Sequence, residues 1–122
     1  MSDNAERLVR LLADGDMHSG ERLAAELGVT RAAVWKTVAE LRERGIAVAS
    51  RERRGYQLTQ SVELLELHQL RRIAMAAGLE LPAATAVFFE LGSTNAWLHA
   101  AVAPPPGAPR LVFAELQTEG RG

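Results

Sequence analysis

Only Val29 separates a helix stop at Gly28 from a helix start at Thr30, and this spacing leaves few folds open. Ser19 is placed to cap a helix with Leu23, Ala24 and Leu27 inward that ends at Gly28. Thr30 is placed to cap another that runs from Arg31 to about Arg44 and closes at Gly45. Two short helices joined by so tight a glycine turn form a helix-turn-helix. Upstream, Asp3 and Glu6 make a capping pair for a first helix, whose Leu8, Leu11 and Leu12 recur at i, i+3 and i+4 and which stops at Gly15. Downstream, Ile46 and Val48 alternate with Ala47 and Ala49, and Tyr56 and Leu58 with Gln57 and Thr59. The polar stretch from Arg51 to Gly55 between them predicts a hairpin with an arginine-rich tip. Three helices followed by a hairpin make a winged helix-turn-helix domain over residues 1–60, a size that can fold alone.

Charge is distributed to match. Residues 1–30 hold three basic side chains against six acidic ones, whereas residues 31–54 hold seven basic against three acidic. On the third helix Val34, Val38 and Leu41 form the buried stripe, so at 100° per residue Ala32, Lys36, Ala39 and Glu43 face away from the core. A helix-turn-helix places the N-terminus of its second helix in the major groove of DNA. There Arg31 can reach guanine O6 and N7, Lys36 a phosphate or a guanine, and the methyls of Thr30 or Ala32 a thymine methyl. Trp35 lies on the flank of the stripe, where packing is expected ahead of base contact. Arg51, Arg53 and Arg54 at the wing tip suit a phosphate backbone or a minor groove; charge alone favours a solvated turn, and the helix pattern beside them turns the reading to DNA.

After residue 60 the pattern changes. Residues 61–84 read as a connecting helix or linker, with Leu64, Leu67, Leu70, Ile73 and Leu79 apolar, a stop at Gly78 and Pro82 beyond it. From Ala86 the continuous apolar run Val87, Phe88, Phe89 predicts a strand buried on both faces. Gly92 breaks it, and Ser93, Thr94 and Asn95 precede a short helix from Ala96 to Ala103. Their hydroxyls, amide and backbone N–H groups suit a carboxylate, ureido or phosphate group; on spacing alone they are an ordinary helix cap. A proline loop follows, then a second strand from Leu111 to Leu116. Gly120, Arg121 and Gly122 can form an anion-binding nest. Two strands and one helix do not enclose a core, so residues 85–122 read as the opening of a larger α/β domain, and the fold class as α+β.

Composition excludes other classes. The 122 residues, 48% hydrophobic and 24% charged, are neither collagen-like nor disordered. With no cysteine, and with His18, His68 and His99 far apart, a metal site of Cys or His is not expected. No apolar run reaches membrane length, and Met1 to Arg10 carries Asp3 and Glu6 without an apolar signal region, so a cytoplasmic protein is expected. There is no GxGxxG, no P-loop and no His beside a paired nucleophile.

The stretch from Ser19 to Leu58, SGERLAAELGVTRAAVWKTVAELRERGIAVASRERRGYQL, resembles the DNA-binding domain of the bifunctional biotin protein ligases and biotin-operon repressors. Gly92, Ser93, Thr94 and Asn95 resemble that family's STN biotin segment, and Gln117 with Gly120, Arg121 and Gly122 its Q-x-x-G-R-G loop. The resemblance implies a ligase that activates biotin with ATP, and the magnesium that accompanies it, to biotinyl-5′-adenylate. It then transfers biotin to a lysine of a biotin carboxyl carrier protein. It also implies that the adenylate is a corepressor, that operator DNA is a partner, and that the adenylate-bound protein is a homodimer. In that scheme Ser93, Thr94, Asn95 and Gln117 hold biotin. Gly120, Arg121 and Gly122 begin a loop over the adenylate, with Arg121 the catalytic candidate. The family's later lysine segment and small C-terminal domain have no counterpart in these residues, so this stretch is expected to be an inactive N-terminal portion. The alternative is a non-enzymatic winged-helix regulator.

Overall fold

A computed structural model of the chain describes residues 3–121 and divides into two compact units, the first ending at Glu63 and the second beginning at Leu64. In the first, helices α1 (Asp3–Leu12), α2 (Gly20–Leu27) and α3 (Arg31–Glu43) precede an antiparallel hairpin of β1 (Val48–Arg51) and β2 (Gly55–Leu58). Both expected caps form: the Ser19 side chain accepts from the Arg22 N–H and the Thr30 hydroxyl from the Ala33 N–H, each at 3.1 Å. Gly28 closes α2 at φ 68°, a left-handed conformation that glycine adopts without a Cβ penalty. Arg7 of α1 adds its guanidinium to the same helix end, donating to the carbonyls of Glu26 at 3.0 Å and Leu27 at 3.3 Å.

The core of this unit is Ala5, Leu8, Val9 and Leu12 from α1, Leu23, Ala24 and Leu27 from α2, and Val34, Val38 and Leu41 from α3, sealed by Val48 and Leu58 of the hairpin. Thr37 is also buried, its hydroxyl satisfied by the Ala33 carbonyl at 2.9 Å. Two local expectations change. Asp3 lies within the first turn of α1 rather than capping it, and Glu6 pairs with Arg10 at 2.8 Å, one helical turn on, instead of reaching back. Val9 is buried in place of the expected Leu11, because α2 and α3 cover the face of α1 that also carries Ala5 and Leu12.

The second unit holds α4 (Leu67–Ala76), β3 (Ala84–Leu91), α5 (Thr94–Ala100) and β4 (Arg110–Gln117). The helix expected over residues 61–84 is confined to α4: residues 61–66 are not helical, and the expected stop forms where Gly78 turns the chain at φ 76° and Leu79 closes back with its N–H on the Ala74 carbonyl. Strands β3 and β4 pair in parallel, from Ala84 opposite Arg110 to Leu91 opposite Gln117. Such a pair needs a crossover, which α5 and the proline loop supply. Phe88 of β3 meets Trp97 of α5 with ring centroids 5.4 Å apart at 59°, fastening the helix to the sheet. Val87, Phe88 and Phe89 are half-buried rather than buried on both faces, because two strands with so little covering them give no second layer. Thr85 is the buried residue of this unit among those described; its hydroxyl donates to the Pro82 carbonyl at 2.6 Å.

Candidate functional site

Helix α3 and the wing of the first unit, the β1–β2 hairpin, face one cleft of about 780 Å³. Its lining includes Arg31, Ala32 and Trp35 of α3 and Arg51, Arg53 and Arg54 of the wing. A non-local device brings these together. The His18 backbone pairs with Tyr56 of β2 in both directions, His18 N–H to Tyr56 carbonyl at 2.9 Å and Tyr56 N–H to His18 carbonyl at 2.8 Å. The turn before α2 thus becomes a third strand-like edge of the wing. Gly55 lies beside this crossing, and a Cβ there would collide with the His18 carbonyl. The His18 ring meets the Asp14 carboxylate at 2.8 Å. That bond, foremost, holds the Asp14 carboxyl below its ordinary value. Gln57 adds a bond from its amide to the Gly15 carbonyl at 2.6 Å.

Six of the eight residues expected to meet DNA line the cleft; Thr30 and Lys36 do not. The Thr30 hydroxyl is engaged as the α3 cap, and Lys36 is exposed beside Trp35. The packing expected of Trp35 is overturned: its side chain is 64% exposed, because α3 turns Val34, Thr37, Val38 and Leu41 inward and leaves position 35 outside that stripe. Arg42, which sequence counts toward the basic surface, ties α3 to β1 instead. Its Nε and Nη2 donate to the Val48 carbonyl at 2.9 and 2.7 Å. Sequence reading misses Ser19, Glu21, Glu52 and Tyr56 as cleft residues. Their signal is the His18–Tyr56 crossing, which no local pattern carries.

The second unit has its own polar cleft, of about 680 Å³, at the carboxyl ends of β3 and β4. That end of a parallel sheet is where open α/β folds bind ligands. Ser93, Thr94, Asn95, Gln117 and Arg121 line it, with His99 and Glu119 as residues the sequence does not suggest. Ser93 caps α5, and Thr94 and Asn95 lie in its first turn. The Gln117 Oε1 accepts from the Thr94 N–H at 2.9 Å and its hydroxyl at 3.0 Å, joining segments 23 positions apart. This leaves the Gln117 amide nitrogen to donate toward a ligand. The turn after β4 is held by Thr118 N–H on the Leu91 carbonyl and Glu119 N–H on the Gly92 carbonyl, at 3.0 and 2.7 Å. Gly120 follows against the Gln117 side chain, and Arg121 is exposed at the rim. Gly122 lies outside the described residues. Among the described residues no cluster of three or more His, Asp or Glu is placed to hold a metal, and no helix is long and apolar enough to cross a membrane.

The first unit is therefore a winged helix-turn-helix domain, and it is followed by a βαβ unit of α/β type with a polar cleft at its strand ends. Residues 4–57 match the HTH domain family. Over all of its length the chain is 34% identical to the bifunctional ligase/repressor BirA of Escherichia coli (strain K12), covering 36% of that protein. Over 94% of its length it is 34% identical to the protein of the same name from Salmonella typhimurium, covering 34% of it. The Bacillus subtilis (strain 168) protein of that name is 31% identical over 90% of the chain, with 33% of it covered. Along nearly all of its own length the chain is similar to these BirA proteins, and it spans about a third of theirs.

Proposed function

We propose that the chain binds operator DNA through α3 and the wing, and that it is the N-terminal portion of a biotin protein ligase that represses transcription. The observation that carries this reading is the cleft in which Arg31 and three wing arginines converge across 20 or more positions of sequence. Arg31 at the start of α3 enters the major groove and contacts a guanine, while Arg51, Arg53 and Arg54 neutralise phosphates. Glu21 and Glu52 in the same cleft disfavour a misplaced backbone, so they set register rather than add affinity.

The ligase half of the reading rests on the Thr94–Gln117 coupling. In it Ser93, Thr94, Asn95 and Gln117 hold biotin, and Gly120, Arg121 and Gly122 open a loop over the activated intermediate. Biotin's carboxylate attacks the α-phosphorus of ATP, supplied with magnesium, to form biotinyl-5′-adenylate and pyrophosphate. A lysine amine of a biotin carboxyl carrier protein then displaces AMP. Arg121 donates to the charge that develops on the transferring groups. The adenylate acts as corepressor and favours a homodimer on the operator, within the cytoplasm.

The test begins with a duplex selected by this chain from a random pool. Arg31→Ala should weaken binding to that duplex by about 1–3 kcal/mol and leave binding to unselected duplex nearly unchanged. Equal losses on both would contradict a base contact. Biotin binding by calorimetry tests the other half independently. Gln117→Ala, which breaks both bonds to Thr94, should weaken biotin binding by the full-length protein about tenfold, the equivalent of about 1.4 kcal/mol. Undiminished binding would remove the biotin assignment and favour a non-enzymatic regulator.

A further inference from the structure

We infer that Trp35 reads a thymine methyl in the major groove, as an apolar counterpart to Arg31. The inference rests on the DNA-binding reading and names a contact which that reading leaves open. Arg31 and Trp35 stand four positions apart on α3, so they occupy one helix face in adjacent turns and line the same cleft. The indole is 64% exposed although four neighbours on the helix, Val34, Thr37, Val38 and Leu41, are buried. A tryptophan left largely uncovered by its own fold, in a cleft where four arginines outnumber Glu21 and Glu52, suits a partner with anionic rims and an apolar floor. Duplex DNA supplies both: phosphates line the groove, and the C5-methyl of thymine is the apolar group exposed in it. Duplex RNA supplies neither a readable major groove nor the methyl, so the surface fits DNA specifically. Ala32 lies on the same face but offers a single methyl, whereas the indole spans the width of a base pair edge.

Deoxyuridine scanning of the selected duplex tests this, because uracil differs from thymine only by the C5-methyl. At one or more thymine positions the substitution should weaken the chain's binding about fourfold, the equivalent of one buried methyl-sized group. Trp35→Ala should bind the thymine and uracil duplexes equally. The variant keeps its helix, since alanine is the strongest helix former and position 35 lies outside the core. A Trp97→Phe chain, in which Trp35 is the remaining tryptophan, gives a second readout: saturation with duplex should change the emission of Trp35. A uracil penalty that persists in Trp35→Ala would assign the methyl to another residue, Ala32 first, and overturn the inference. So would Trp35 emission that does not respond to saturating duplex, or a scan in which no position is penalised while binding stays tight. Failure to bind any duplex would instead overturn the DNA-binding reading itself, a result distinct from these.

Discussion

At Gly55 the backbone φ is +116°, and an added Cβ would lie 2.6 Å from the His18 carbonyl carbon, so a residue without a side chain is required where the wing crosses the turn before α2. Gly55→Ala should destabilise the first unit by about 1–3 kcal/mol in urea unfolding. It should also loosen the wing, seen as faster exchange of the Tyr56 amide, and an unchanged exchange rate would show that the crossing does not hold the wing. Asp14 acts at the same junction through His18. Its folded carboxyl titrates below the unfolded value of 3.8, so its stabilisation is complete above that pH and is lost as pH falls through the lower folded value. Asp14→Asn should therefore remove part of the loss of stability that acid causes below about pH 3.8. Acid-unfolding profiles that superimpose would contradict the His18 pairing. Trp35 marks what a single position conceals: helical phase places it beside the buried stripe, and only the packing of the three helices decides that it faces outward.

The elements of the first unit are legible because each is specified locally. Ser19 and Thr30 cap, Gly28 stops, and Val34, Val38 and Leu41 repeat at the helical period, all within short windows. Leu41→Ala should accordingly cost about 2–5 kcal/mol, and Thr30→Ala about 1 kcal/mol, measured by thermal unfolding. What stays hidden is pairing over distance. The bonds of His18 to Tyr56, Gln57 to Gly15 and Arg42 to Val48 shape the cleft, yet none has a sequence period. The same holds in the second unit. The Ser93-to-Asn95 run and Gln117 are visible as residue types, but the parallel register that joins them depends on Leu91 meeting Gln117. The helix expected over 61–84 is too long chiefly at its start, since residues 61–66 are not helical and α4 begins only at Leu67, whereas the stop at Gly78 forms as a left-handed turn.

On the scale of the whole molecule the two units differ in how completely they are enclosed. Every fully buried large side chain among the described residues, from Leu8 to Leu41, belongs to the first, whereas β3 and β4 are half-buried and Ile73 and Met75 of α4 are 67% and 71% exposed. Hydrogen exchange should find Val34, Val38 and Leu41 protected to near the global unfolding free energy and Val87 to Phe89 exchanging well before them. Equal protection would mean that the sheet has a core not evident from its burial. The central claim is that α3 and the wing grip duplex DNA from one cleft. Binding of the selected duplex, followed by fluorescence anisotropy across salt concentrations, tests it most directly when the chain is compared with the variant carrying Arg51→Ala, Arg53→Ala and Arg54→Ala. The variant should bind more weakly, with a log–log salt slope shallower by about 0.9 for each phosphate that it no longer neutralises; unchanged affinity and slope would contradict a DNA grip by the wing.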